Sequence, residues 1–262
     1  MSVMLSFSSV SKTFDNGLEA IARIDLDIAQ GQFLSLVGPS GCGKSTALRI
    51  AAGLIAPTTG TVAWPQGRPQ VGFVFQDATL MPWATVAGNV RLPLDLGGLN
   101  RKEAEERAAR AIKRVGLSGF EKSYPRELSG GMKMRASIAR AIASKPKLLL
   151  MDEPFAALDE LTRQALNDDL LKLAREDSMT VMFVTHSVYE SSYLSSRVVV
   201  MTPRPGRIAA DIHLSPPPLR DVSYRLTQEF ADAAGKVSAA LRSAMLPSGA
   251  SDSAAAARGT AA

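Results

Sequence analysis

The most specific chemistry in the chain sits in nine consecutive residues, Gly38-Pro39-Ser40-Gly41-Cys42-Gly43-Lys44-Ser45-Thr46. The glycines at 38, 41 and 43 let a backbone turn tightly enough to aim successive N–H groups at phosphate oxygens. Lys44 is spaced to reach β- and γ-phosphates, Ser45 offers a hydroxyl to Mg²⁺, and the helix that follows adds the positive end of its dipole. Cys42 serves the geometry of this loop; a thiol activated by the helix N-terminus is the competing reading. A second cluster closes the apolar run Leu148–Met151, which ends in Asp152 and Glu153. A buried strand that delivers two acids to a sheet edge suits a phosphate site. Asp152 is expected to hold Mg²⁺ directly or through water, and Glu153, one residue on, to act as general base for an attacking water.

The elements that must position these residues follow from hydrophobic periodicity. Met4–Val10, Ala20–Ile28 and Phe33–Val37 read as strands, and Lys44–Ala52 as a helix. Val71–Phe75 is a brief apolar run that ends at Gln76. From about Thr85 to Glu127 the pattern is mostly helical, with Ala104, Ala108, Ile112 and Val115 on one face of Arg101–Val115. Leu148–Met151, Thr180–Thr185 and Arg197–Met201 are strand-like, with helices near Glu160–Arg175 and Ser187–Leu194 between them, which implies a mostly parallel sheet. Beyond Pro216-Pro217-Pro218, the residues Leu219, Val222, Leu226, Phe230, Val237 and Leu241 predict one terminal helix. Residues 247–262 carry almost nothing to bury and are expected to be disordered.

Composition narrows the class. At 262 residues, 46% hydrophobic and 21% charged, the chain is long enough for a sizeable core and is neither a wholly disordered nor a collagen-like polymer. One cysteine excludes an internal disulfide and removes any call for an oxidising compartment. No apolar run approaches the length of a membrane span, and the first residues lack the pattern of a secretion signal. The net charge of +5 is compatible with nucleic acid, an acidic membrane surface or a polyphosphate ligand.

Leu128-Ser129-Gly130-Gly131-Met132, taken with the phosphate loop and the Asp152-Glu153 pair, resembles the ATP-binding subunits of ATP-binding cassette (ABC) transporters over residues 3–215. The resemblance implies an α/β P-loop NTPase core with an N-terminal antiparallel β subdomain and a helical subdomain, at about residues 85–145, that holds the signature. The ATPase domain then spans 1–215, with a helical extension at 216–246. ATP and Mg²⁺ are the implied cofactors. Phe14 corresponds to the aromatic residue that stacks on adenine, Gln76 to the gating glutamine that meets Mg²⁺ and the attacking water, and His186 to the switch histidine. Ala157-Leu158-Asp159 matches the D-loop, so Asp159 joins Ser129, Gly130 and Gly131 as expected nucleotide-site residues. Ser129 and the two glycine amides open a helix, which favours an anion, and His186 at a strand end could hydrogen-bond a γ-phosphate. In this family the signature of one subunit closes over ATP bound to the other, giving a head-to-tail pair. Met132 and Met134 depart from the glutamines of the general pattern, so a hydrogen bond is missing at 134.

Within the family, Leu80–Val86, Glu127–Met132, Asp152–Asp159 and Met201–Arg207 resemble the ATPases of nitrate/sulfonate/taurine-type importers, with pyrimidine-precursor importers close by. This implies a peripheral subunit on the cytoplasmic face of the membrane. Its expected partners are a membrane permease received at Thr79–Pro93, a second ATPase subunit, and indirectly a periplasmic or extracellular substrate-binding protein, with no nucleic acid. Trp83 is either an anchor for the permease or a core residue, and His213 reads as structural. The competing functions are a soluble ABC ATPase acting on nucleic acid or ribosomes, and another P-loop enzyme such as a GTPase or small-molecule kinase.

Overall fold

The computed structural model describes residues 2–246; the expectation for 247–262 falls outside them. The chain begins with β1 (Val3–Thr13) and β2 (Glu19–Ala29), then β3 (Phe33–Val37), α1 (Lys44–Ala51), β4 (Thr59–Ala63) and β5 (Val71–Val74). Three helices follow, α2 (Val86–Leu96), α3 (Arg101–Arg114) and α4 (Gly130–Ala143). The second half runs β6 (Leu148–Asp152), α5 (Glu160–Glu176), β7 (Thr180–Thr185), α6 (Val188–Leu194), β8 (Arg197–Met201), β9 (Ile208–His213) and α7 (Gln228–Met245). Two sheets result: an antiparallel one in the order β2-β1-β4, and a six-stranded one in the order β5-β6-β7-β3-β8-β9. The latter is parallel except for β9, which returns antiparallel beside β8.

Every residue of β3, β6 and β7 is buried, which is why these strands read as unbroken apolar runs. Alternation still sorts their side chains. Leu148 and Leu150 of β6 pack with Leu48 and Ala51 of α1, while Leu149 and Met151 face the helical side with Ile138, Ile142 and Phe155. Asp152, next in the alternation, therefore falls on the α1 side, where the phosphate loop begins. The helical arm packs Val90 and Leu94 of α2, Ala108 and Ile112 of α3, and Ile138 of α4 into one apolar cluster. Side chains at the N-caps open α2 to α7, and α1 alone follows a glycine: Thr85, Asn100, Ser129, Asp159, Ser187 and Thr227 each accept a backbone N–H of the first turn.

The structure corrects the terminal helix. It begins only at Gln228, and Leu219, Val222 and Leu226 stand exposed in the preceding segment. Val237, Leu241 and Ala244 carry the docked face, against Val198 and Val200. Strands β4 and β9 were not anticipated, because β4 is largely exposed and β9 alternates half-buried with exposed residues. Met134 lies buried in the apolar cluster, so no hydrogen bond is needed from that position.

Asn89 pins the segment before α2. It is fully buried, its Oδ1 accepts the Met81 N–H at 2.7 Å, and its Nδ2 donates to the carbonyls of Met81, Ala84 and Thr85. Leaving these groups unpaired is costly. We expect Asn89→Ala to lower unfolding stability by about 2–4 kcal/mol in urea titrations, against less than about 0.5 kcal/mol for an exposed control such as Lys102→Ala.

Candidate active site

The strand β3 delivers the chain into the phosphate loop, and the backbone of that loop is set by close approach as much as by turn preference. Gly41 and Gly43 hold φ of +76° and +100°, values that L side chains resist. A Cβ on Gly43 would lie 2.6 Å from the Ala20 carbonyl oxygen, and one on Gly38 2.8 Å from Cys42 Sγ. The loop feeds α1, whose free N-terminal amides point toward the same space.

Lys44 is 4% exposed. Its Nζ donates to the carbonyls of Gly38 and Pro39 at 2.8 and 3.0 Å and lies 3.7 Å from Glu153 Oε1. The other oxygen of that carboxylate, Oε2, is 3.1 Å from His186 Nδ1. Glu153 thus sits between an ammonium and an imidazole, in a backbone conformation of φ +44° that a glutamate seldom adopts. Strain of this kind persists only where the surroundings impose it. Here the Glu153 N–H is bonded to the Val184 carbonyl at the end of β7.

Asp152 takes the other direction, as alternation requires, and its Oδ1 accepts the Ser45 hydroxyl at 2.7 Å. Burial pushes its carboxyl above the usual carboxylate range, opposed by the Ser45 hydrogen bond and by Arg49. A desolvated carboxylate beside a hydroxyl is a hard-oxygen pair whose charge a divalent cation would compensate, so these residues fit Mg²⁺. Among the described residues no group of three or more His, Cys, Asp or Glu side chains could hold a metal by itself. Mg²⁺ takes one or two carboxylates and completes its shell with water and substrate phosphates, and Asp152 offers one such carboxylate.

Phe14, Ser40, Gly41, Gly43, Lys44, Ser45, Thr46, Gln76 and Glu153 line one open cavity of about 360 Å³, together with Leu18, Ala20 and Arg204. Phe14 is 36% exposed at its rim, with Lys12 Nζ over the ring, 5.4 Å from its centroid. Ser129, Gly130, Gly131 and Asp159 do not line this cavity. Ser129 caps α4, accepting the Met132 N–H, and both it and Gly130 are exposed. The Asp159 carboxylate caps α5 through the Thr162 N–H, which holds it below the usual carboxylate range. A single chain therefore carries the two sets of residues apart.

Two positioning groups escaped the sequence reading. Glu190 of α6 is buried and accepts the Thr185 hydroxyl, its N–H donates to Ser187 Oγ, and the Ser187 N–H donates to Thr185 Oγ1. Both neighbours of His186 are thereby fixed. Arg163 of α5 donates to the Leu158 carbonyl at 2.7 Å and stands 3.6 Å from Glu190 Oε1, tying the segment before Asp159 to the histidine turn. The spacing from Thr185-His186 at the end of β7 to Glu190 in α6 was the available signal.

The ABC transporter family profile matches residues 21–156. An ABC transporter ATP-binding protein of Methanocaldococcus jannaschii is 45% identical over 256 residues, 95% of each chain. The aliphatic sulfonates import ATP-binding protein SsuB 2 of Pseudomonas syringae pathovar tomato is 48% identical over 196 residues, 75% of this chain and 82% of that one. The fold matches a dimeric ATP-binding cassette in a post-hydrolysis state with ADP and phosphate, with a TM-score of 0.73 at 33% identity over 81% of this chain and 99% of that one. It also matches a Clostridium perfringens cassette that is part of an ABC transporter complex, with a TM-score of 0.74 at 25% identity, covering 81% and 89%.

Cys42 is buried, and burial outweighs the nearby Lys44 to push its thiol up. The activated-thiol reading therefore fails on this geometry. With little thiolate and no access, Cys42 should resist iodoacetamide at pH 8 in the native protein and react fully in denaturant; mass spectrometry of the alkylated fraction checks it.

Proposed function

The chain belongs to the ABC transporter family as an ATP-hydrolysing, ATP-binding subunit, and we propose that it powers an importer by closing head to tail on a second copy of itself. The observation that carries this reading is the division of the site. Lys44, Ser45 and Glu153 line one cavity, with Asp152 bonded to Ser45 and His186 to Glu153, while the exposed Ser129 and Gly130 and the half-buried Gly131 lie outside that cavity on the same chain. A two-fold pair supplies each half to the other, completing two sites at one interface.

In such a pair the phosphate chain of ATP lies along the loop amides, with Lys44 neutralising the β- and γ-oxygens and Phe14 against the adenine. Glu153 accepts a proton from the attacking water as the water oxygen bonds to the γ-phosphorus and the bridging P–O bond to ADP breaks. The Lys44 and His186 contacts aim its carboxylate, and Gln76 orients the water. Mg²⁺, when bound, neutralises charge on the phosphates, and Ser45, Asp152 and Gln76 would hold it. Ser129, Gly130 and Gly131 of the second copy close over the γ-phosphate, and Asp159 stays at the interface as helix cap.

Coupling to a separate membrane permease is supported by the segment after Gln76. Arg140 holds it from below, donating to the carbonyls of Thr79 and Ala78, and Asn89 holds it from the side. Trp83 is left 77% exposed on this fixed loop. That favours the anchor reading over the core reading. Because Gln76 and Trp83 share one short, tethered segment, a push at the loop reaches the nucleotide cavity. Among the described residues no helix is long and apolar enough to cross a membrane, consistent with a peripheral subunit on the cytoplasmic face. The sulfonate-importer relatives support a cargo of the nitrate, sulfonate or taurine kind, with a pyrimidine precursor as the alternative, delivered by a substrate-binding protein.

Glu153→Gln should retain ATP binding, trap a dimer on size exclusion with MgATP, and lower turnover by about 10²–10⁴-fold; normal hydrolysis would remove Glu153 from the mechanism. Trp83→Ala should leave the ATPase of the isolated subunit intact yet weaken capture of the multi-span permease from solubilised membranes by about 30-fold. Co-purification with ribosomes in place of a permease would overturn the importer reading.

A further inference from the structure

The Met201–Arg207 segment marks the chain's resemblance to importers but has no part in the mechanism above. It forms the turn from β8 to β9, closed by the Thr202 N–H on the Arg207 carbonyl at 2.9 Å and the Arg207 N–H on Thr202 Oγ1 at 3.0 Å. Its outer side is stitched to β2, since the Gly206 N–H donates to the Ala20 carbonyl and the Ala22 N–H to the Gly206 carbonyl. Its inner side rides on the phosphate loop. A Cβ on Gly206 would lie 1.9 Å from the Cys42 carbonyl oxygen, so only glycine permits this approach.

Docking the turn lays Arg204 across the loop. Its Nε donates to the Gly41 carbonyl at 3.0 Å, its single hydrogen bond among the described residues, and its Nη2 stands 2.8 Å from where a Cβ on Gly41 would be. The same side chain lines the cavity shared by Phe14, Lys44, Gln76 and Glu153. A guanidinium keeps its charge at any working pH, and its forked N–H donors match phosphate oxygens. This one has no carboxylate among the described residues within ion-pair distance, and its terminal nitrogens are free. We propose that Arg204 binds the phosphate chain of the nucleotide within its own subunit, as a second cation beside Lys44, holding ATP before a partner's signature residues arrive.

The proposal rests on the cavity being the ATP site and deepens it. The test measures MgATP and MgADP affinity of the full chain by titration calorimetry at low and high salt, for the wild type, Arg204→Ala, Arg204→Lys and Lys44→Ala, with thermal midpoints and Cys42 shielding as checks on the fold. Arg204→Ala should weaken both nucleotides by about tenfold, with the gap narrowing as salt rises, and Arg204→Lys should recover most of the loss. Unchanged affinity in Arg204→Ala would overturn the proposal. So would a salt-independent loss shared equally by Arg204→Lys, which would make the residue a buttress of Gly41 alone. If instead Lys44→Ala binds ATP like the wild type, the nucleotide reading of the cavity itself fails.

Discussion

The buried ammonium of Lys44 is the group on which the rest of the site depends. An almost fully buried cation needs compensation, and it finds two loop carbonyls and the Glu153 carboxylate. That requirement fixes where β6 must end relative to β3, two strands away across β7. It also explains why a glutamate is held at positive φ just past the strand. The N–H of Glu153 is taken by β7 and its side chain is drawn to Lys44 and His186, so the backbone between them has one solution.

The alternation of a fully buried strand does the rest of the sorting. Asp152 inherits the side of Leu148 and Leu150, against α1, and so meets Ser45; Glu153, freed from the strand, turns toward Lys44. Two adjacent acids thus acquire separate partners 2.7 and 3.7 Å away without competing for one. The surrounding loops are tied into this centre by side chains on helices. Glu190 and Arg163 link the histidine turn to the segment before Asp159, and Arg140 and Asn89 hold the segment after Gln76.

The core strands were legible because parallel strands buried on both faces write themselves as apolar runs, and the phosphate loop because its glycines, lysine and hydroxyl stand together in sequence. Strands β4 and β9 were not, since each lies at a sheet edge, β4 largely exposed and β9 alternating half-buried with exposed residues, with no continuous apolar signal. The terminal helix was placed too early because Leu219, Val222 and Leu226 keep a helical spacing yet stand mostly exposed before the helix begins. The Thr227 cap, a local signal, marks its true start.

The sequence by itself determined the family and the fold class and singled out the glycine-rich loop and the Asp152-Glu153 pair as the candidate site, because those depend on residue types at short spacing. Only the tertiary structure decided that Glu153 shares its carboxylate between Lys44 and His186, that Trp83 stays in water on a pinned loop, that Cys42 is sealed, and that Arg204 lies over Gly41. Each of these depends on segments brought together across the sheet from positions 30 to more than 160 residues apart. The physical reason is that burial and approach are properties of packing: a lone arginine in a turn or a tryptophan in a loop carries no local pattern to say which side of the surface it will occupy.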